Sequence, residues 1–215
     1  MKLNILIDRL PETVNIGGVE YPIRTGFRTS VLFELLARDK KIKDEYKIDG
    51  LLRLYYPEIP KDGDEAVKKA LWFYNCGRSR KKKDEKNRTR KEFQREKVLY
   101  SFEKDAPLIY AAFKAQYGID LQDIEDMHWW KFSAMFDGLT GDHVIRQIMN
   151  IRGMNTSEMS KKQIQRINAL KEYYSLDDAE PVDSKIALAK RNADMKNYLR
   201  KRMQEVKRNV RKEHR

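Results

Sequence analysis

HWWKFSAMFDGL, residues 128–139, is the densest aromatic stretch of this 215-residue chain and predicts its fold class most clearly. On a helix, Trp129, Phe132 and Phe136 share one face, because spacings of three and four residues match the helical period. Trp130 points about 100° away from that face. Aromatic stripes at this spacing usually pack inward, so we predict a helix that contributes to a hydrophobic core.

Helical patterns continue on both sides of this stretch. Pro107 suits the first turn of a helix and Gly118 suits a C-terminal stop, which predicts a helix over Phe102–Tyr117. Apolar spacing predicts two further helices, over Val144–Ile151 and Ser160–Tyr174. This half of the chain is therefore expected to be a helical module.

The N-terminal part of the chain predicts a small sheet. Leu3–Ile7 has the composition of a short strand, and Val14–Ile23 predicts a hairpin with its turn at Gly17-Gly18. Consecutive glycines supply the positive φ angles that a two-residue turn requires. Pro22 has no N–H to donate, so the second strand is expected at a sheet edge.

Three helices are expected after the hairpin. The first follows Gly26, and the second covers Ile48–Tyr56 and stops before Pro57. The third opens at Asp62 and ends near Gly77. Together these patterns predict an α+β fold that is predominantly α-helical, with a small N-terminal antiparallel hairpin sheet.

The net charge of +12 is concentrated in two segments. Arg78–Lys97 holds 11 Lys or Arg and 4 Asp or Glu, and Lys185–Arg215 holds 12 and 3, so the remainder carries a net charge of −4. The first segment has almost no apolar side chains and cannot bury a face of its own. We therefore predict four parts: a hairpin with helices at 1–77, a basic linker at 78–101, a helical module at 102–180, and an extended basic C-terminal helix at 181–215, detached from the core.

No catalytic or cofactor motif is recognisable in the sequence. It contains no HExxH, no G-x-S-x-G and no glycine-rich phosphate loop. The lone Cys76 lies in an apolar helical context, where a buried, inert thiol is the default. Asp142-His143 is interpreted as a helix start with Asp142 as the N-cap, rather than as an acid–base pair. We therefore expect a protein that is not an enzyme and that has no metal site and no cofactor.

The expected location is a reducing, aqueous compartment. No run approaches the roughly 20 apolar residues that a membrane-spanning helix needs. Asp8 and Arg9 interrupt the N-terminal apolar run too early for a signal peptide. The single cysteine excludes an intramolecular disulfide. We expect a soluble protein with no membrane partner.

Three motifs carry a resemblance to a known family. They are Asp105-Ala106-Pro107, Tyr117-Gly118-Ile119-Asp120-Leu121 and His128-Trp129-Trp130-Lys131-Phe132. With the helices around them, over about residues 102–176, they resemble the bacteriophage gene-product-fifteen family of phages and prophages of Gram-positive bacteria. The N-terminal hairpin and helices resemble the family more weakly.

The resemblance implies a role in the assembly of long non-contractile tails. Members are typically encoded between the major tail protein and the tape-measure protein, the position of tail assembly chaperones. By resemblance, the partners are the tape-measure protein and the tail tube protein, and a homo-oligomer is expected along the client. The place of action is the host bacterial cytoplasm, and the protein is expected to be absent from the mature virion. The family supplies no catalytic residues.

A chaperone of a helical client needs apolar anchors on its surface. An amphipathic client helix can lie in a groove between helices and bind through aromatic and aliphatic side chains. We hypothesise that Tyr110, Phe113, Tyr117 and Trp130 line such a groove.

The alternative function is that of a nucleic-acid-binding phage accessory protein. The two basic segments can bind phosphates non-specifically through counterion release. Few aromatic side chains accompany these cations, whereas single-strand binders interleave the two. The polyanion-binding residues would be Arg80, Lys81, Lys82, Lys83, Arg200, Lys201 and Arg202.

Overall fold

The computed structural model describes residues 3–78, 98–176, 185–198 and 200. Within these residues a two-stranded sheet precedes seven helices, and residues 185–198 are also helical. The elements are β1 Thr13–Ile16, β2 Val19–Pro22, α1 Phe27–Arg38, α2 Asp44–Tyr55, α3 Gly63–Tyr74, α4 Ala106–Tyr117, α5 Trp129–Asp137, α6 Val144–Gly153 and α7 Lys161–Tyr173. The predicted α+β, predominantly helical fold is confirmed. Among the described residues, no helix is long and apolar enough to cross a membrane.

The hairpin forms where the two glycines predict it. β1 and β2 are antiparallel, and Val14 pairs with Tyr21. Gly17 and Gly18 have φ angles of 58° and 83°, the positive values that this tight turn needs. The buried side chains of β1 face the helices, so the hairpin covers one side of the core.

The strand predicted over Leu3–Ile7 was wrong. The N–H groups of Ile7 and Asp8 both donate to the carbonyl of Asn4, at 3.1 and 2.8 Å, so the segment is a turn. The Asp8 carboxylate accepts from the Asn4 N–H at 2.7 Å and closes this turn. Short polar side chains of this kind compete with strand pairing by bonding to the local backbone.

Helix boundaries follow the capping residues more closely than the apolar pattern. Asp62 caps α3 by accepting from the Glu65 N–H, and Ser160 forms a capping box with Gln163 at the start of α7. α2 begins four residues before the predicted start, because its first turn is polar and has no apolar signal. The N-cap of α6 is His143, so the prediction of Asp142 was wrong.

One hydrophobic cluster joins the helices of residues 1–77 to those of residues 102–180. Its centre is aromatic, and Phe33, Phe73, Phe113 and Phe132 are each at most 2% exposed. The phenyl rings of Phe113 and Phe132 stack with their centroids 4.8 Å apart. The four-part division of the chain stays a prediction.

The described part of the basic C-terminal helix packs against the rest of the protein. Ile186 and Ala189 are 1% and 0% exposed, and Ile186 belongs to the hydrophobic cluster. The expectation of a helix detached from the core was therefore wrong for residues 185–198. The high charge of the segment masked a short apolar face, which residues three apart on a helix share.

A candidate partner-binding cleft between α1 and α4

The two tryptophans at the start of α5 cap the end of α3. The indole N–H of Trp129 donates to the carbonyl of Tyr74 at 2.7 Å, and that of Trp130 donates to the carbonyl of Phe73 at 2.8 Å. Carbonyls in the last turn of a helix lack the usual partner four residues on. The indole bond therefore satisfies the carbonyl of Tyr74 and adds to the bond that the Phe73 carbonyl accepts from the Cys76 N–H at 3.0 Å. Both side chains are buried, which confirms the prediction that the aromatic stretch packs into the core.

His128 joins the N-terminal segment to the same helix. Its Nδ1 accepts from the Trp130 N–H at 3.1 Å as the N-cap of α5, and its Nε2 donates to the carbonyl of Pro11 at 3.2 Å. Burial lowers the pKa of this imidazole, so the neutral form that the two bonds require is favoured. An antiparallel bridge between Gly26 and His128 sets the position of α1 beside α5.

An apolar cleft of about 350 Å³ opens between α1 and α4, and we call it the α1–α4 cleft. Aromatic and aliphatic side chains form its floor: Phe27, Phe102, Ile109, Leu121 and Phe132. Each of these side chains is held in the hydrophobic cluster, so the cleft is a preformed apolar surface and not a gap between loose side chains.

The rim of the cleft is partly exposed and is held in place by polar bonds. Leu32 on α1 is 52% exposed. Across the cleft, the Tyr110 hydroxyl donates to Asp120 Oδ2 at 2.7 Å, and Lys114 Nζ lies 3.2 Å from the same oxygen. The hydrogen bond from Tyr110 is the largest of the effects that lower the pKa of Asp120 to about 2. Asp120 therefore stays ionised and holds Tyr110 at the rim.

Arg28 fixes the loop that closes one end of the cleft. Its guanidinium donates to the carbonyls of Leu121, Gln122, Ile124 and Glu125 at 2.8 to 3.3 Å. The planar guanidinium can hold several carbonyls at once, which a lysine ammonium does less well. Arg28 thereby holds the loop between α4 and α5 against the first turn of α1.

A second cleft of about 620 Å³ lies on the other side of Leu32. Leu35, Leu36 and Ile42 supply apolar atoms to its lining, and Leu176 closes it from the C-terminal side. Leu32 lines both clefts, so its exposed side chain lies between them on α1.

Comparison with known families identifies the group to which this chain is related. A family model described as Bacteriophage Gp15 protein matches residues 6–176. The chain belongs to this family. It is a bacteriophage protein, as the motif resemblance predicts, and the match covers every element from β1 to α7 and both clefts around Leu32. No curated protein and no solved structure matches the chain.

The family motifs have clear structural roles in this Gp15 protein. Asp105 binds Arg152 through two bonds of 2.6 and 3.0 Å, from Nη1 to Oδ2 and from Nη2 to Oδ1. Gly118 ends α4 with a φ of 67°, and the Asp120 that follows it anchors Tyr110. The His-Trp-Trp motif joins α3, α5 and the N-terminal segment, so the three motifs position the cleft.

The four predicted partner-binding residues lie in different environments. Tyr110 lines the α1–α4 cleft, and the Tyr117 hydroxyl donates to the carbonyl of Met135 at 2.9 Å outside it. Phe113 and Trp130 are 0% and 5% exposed, so the expectation that they are exposed was wrong. Their rings complete the aromatic core, which removes more apolar surface from water than a place on the rim. Partner binding itself stays a prediction.

Sequence reasoning missed Leu32 and Arg28 as residues of the cleft. Leu32 belongs to an apolar stripe on α1, formed by Val31, Leu32, Leu35 and Leu36. Such a broad stripe is a signal of an extra apolar surface, because one buried face of the helix does not need all four. Arg28 had no such signal, since its partners are carbonyls more than 90 residues away.

Most of the predicted polyanion-binding residues lie outside the described part of the chain. These are Arg80, Lys81, Lys82, Lys83, Lys201 and Arg202. Arg200 is described and exposed, and its Nη1 lies 3.5 Å from Asn197 Oδ1. Nucleic-acid binding by the two basic segments stays a prediction.

No group of three or more His, Cys, Asp or Glu side chains is placed to hold a metal ion within the described ranges. Cys76 is half-buried at the end of α3, and burial raises the pKa of its thiol. A thiol with a raised pKa forms little thiolate and is a poor nucleophile.

Proposed function

We propose that this phage protein is a tail assembly chaperone that acts by binding and not by catalysis. Its client is an amphipathic helix of the tape-measure protein, held in the α1–α4 cleft in the host cytoplasm before the tail is complete. The observation that supports this proposal is the preformed apolar floor of the cleft beneath the exposed Leu32.

The shape and chemistry of the cleft suit one row of client side chains. A volume of about 350 Å³ lies at the lower end of the range for ligand pockets and accommodates a few aliphatic or aromatic groups. Burying one Leu, Ile or Phe side chain of the client contributes about 1.5–3 kcal/mol. Two or three such anchors, spaced along one face of a helix, provide a specific and reversible complex.

The position of the cleft within the family match supports a role that family members share. Residues 6–176 include α1, α4 and the loop that Arg28 holds. By contrast, the basic segment 185–198 lies outside the match. We therefore assign client binding to the cleft and not to the basic extension.

The test is co-expression with the tape-measure protein of the same phage. Leu32→Glu places a charge at the rim of the cleft, where 52% of the leucine is exposed, so the fold is expected to survive. We expect co-purification of the client to fall at least about tenfold, because a single anchor contributes about 1.4 kcal/mol or more.

Val144→Glu is the matched control. Val144 is 53% exposed at the start of α6, so the same substitution is made at equal exposure away from the cleft. We expect this variant to retain the client. Equal retention by both variants, or no co-purification with the wild-type protein, would remove the basis of the proposal.

A further inference from the structure

The helix at residues 185–198 crosses a groove between α2 and α3, which we call the α2–α3 groove. Apolar atoms of Ile48, Leu52 and Val67 line the groove, and acidic side chains stand along it. It shares no lining residue with the α1–α4 cleft. The two surfaces are therefore separate.

Three polar contacts join the occupying helix to the first turns of α2 and α3. Asn192 Nδ2 donates to Asp44 Oδ2 at 2.6 Å. Lys190 Nζ lies 2.8 Å from Asp64 Oδ1, and Lys196 forms an ion pair with Glu45. The first turns of helices favour acidic side chains, so this edge of the groove is negative and attracts cations.

The lysine contacts also lower the pKa values of two carboxyl groups along the groove. Hydrogen bonds from Lys196 and Lys190 lower the pKa of Glu45 and of Asp64, respectively. All of these side chains are at least partly exposed, and exposed ion pairs are individually weak. Acting together along one edge, the three contacts orient the helix and contribute to its affinity for the groove.

The helix fills the groove incompletely. Ile186 and Ala189 are buried, but Tyr46 on the groove and Met195 on the helix are 59% and 57% exposed. A space of about 840 Å³ remains between the groove and the part of the helix from Lys190 to Asn197. Close packing stabilises an interface, and among the described residues of this helix only Ile186 and Ala189 are buried.

The groove and its occupant also differ in their relation to the family. α2 and α3 lie within the matched residues 6–176, and the occupying helix begins at residue 185. The acidic and apolar groove is therefore part of the matched Gp15 region, whereas the helix that covers it lies outside that region.

We propose that the α2–α3 groove is a binding site for a basic amphipathic helix of a partner protein, and that residues 185–198 occupy it as an intramolecular competitor. The partner helix has small or aliphatic residues on one face and lysines or arginines beside them. Because the occupant is tethered, the groove is open in only a fraction of the molecules. The apparent affinity for the partner is the intrinsic affinity multiplied by that fraction.

A peptide displacement experiment on the full chain tests this proposal. The probe is a fluorescein-labelled peptide with the sequence of residues 185–198. Ala189→Asp places a carboxylate in the fully buried part of the contact and releases the tethered helix, since an unpaired buried charge is strongly unfavourable. Fluorescence anisotropy is expected to show peptide binding at least about tenfold tighter than to the wild-type chain.

Ala187→Asp is the matched control, because Ala187 is exposed on the same helix. It is expected to bind the peptide as the wild-type chain does. Adding Glu45→Lys and Asp64→Lys to Ala189→Asp is expected to abolish binding. Equal affinity for the Ala187 and Ala189 variants, or no binding to Ala189→Asp, would overturn the proposal.

A second pair of variants covers the case in which Ala189→Asp does not fold. Lys190→Glu with Lys196→Glu reverses both ion pairs without touching the buried face. Arg191→Glu, on the exposed side of the same helix, is its control. The double variant is expected to bind the peptide more tightly than the control, and equal binding would contradict the competition.

Discussion

Arg152 shows how one buried side chain connects distant parts of this Gp15 protein. Besides its two hydrogen bonds to the Asp105 carboxylate, it donates to the carbonyls of Leu99 and Tyr174 at 2.9 and 2.7 Å. The side chains of Arg152 and Asp105 are 8% and 5% exposed. With both charges paired and hydrogen-bonded, the residue joins the start of α4 to the end of α7.

Arg152→Ala is expected to lower the free energy of unfolding by about 3–5 kcal/mol, since it leaves the Asp105 carboxylate buried without its partner. Urea denaturation followed by circular dichroism measures the change. Arg146→Ala, at a half-buried arginine on the same helix, is the control and is expected to cost about 0.5 kcal/mol. A loss below about 1 kcal/mol for Arg152→Ala would contradict the role given to this ion pair.

At the scale of elements, contacts at helix ends determine much of how the helices are positioned relative to one another. Tryptophan side chains from one helix cap α3, an arginine from α1 holds the loop before α5, and a histidine caps α5 itself. These contacts explain why the family motifs cluster near the ends of helices rather than in their centres.

His128 as the N-cap of α5 makes stability depend on pH. The folded state holds the imidazole neutral with a lowered pKa, so its contribution is present above the ordinary value near 6.5. It is lost as the pH falls from that value towards the folded-state pKa, because the unfolded chain then binds more protons. Asparagine is also a good N-cap but does not titrate in this range.

We therefore expect the wild-type protein to lose more stability than His128→Asn between pH 7.5 and pH 5.0. At pH 7.5 the variant is expected to be less stable by about 1 kcal/mol, through loss of the bond to Pro11. Urea titrations at the two pH values measure both effects. Parallel losses in the two proteins would show that His128 does not carry this dependence.

Local signals predicted the elements whose cause is local. The glycine pair predicted the hairpin, and Asp62 and Gly118 marked helix ends, because each residue acts on backbone within a few positions. The turn at Leu3–Ile7 was missed, since the Asn4–Asp8 contacts outweigh strand composition.

The candidate site was less predictable than the elements. The sequence predicted that aromatic side chains line a groove between helices, and Tyr110 does line the cleft. Which aromatic side chain is buried depends on how several helices pack, so Phe113 and Trp130 could not be separated from Tyr110 by spacing. The docking of Ile186 and the contacts of Arg28 are equally long-range.

At the scale of the whole molecule, two separate surface features lie around one aromatic core. The α1–α4 cleft is apolar and preformed, and the α2–α3 groove is acidic and covered by a basic helix. The proposed client helix at the cleft and the proposed partner helix at the groove therefore occupy different surfaces, and both can bind at once. We place the proposed client site at the cleft because it is open, whereas residues 185–198 cover the groove.

Site-specific photocrosslinking tests that claim most directly. A benzophenone amino acid replaces Leu32 in one protein and Val144 in another, two positions of equal exposure, and each protein is co-expressed with the tape-measure protein and irradiated. We predict a crosslink to the tape-measure protein from position 32 and none from position 144. No crosslink from position 32, or equal yields from both positions, would contradict client binding in the α1–α4 cleft.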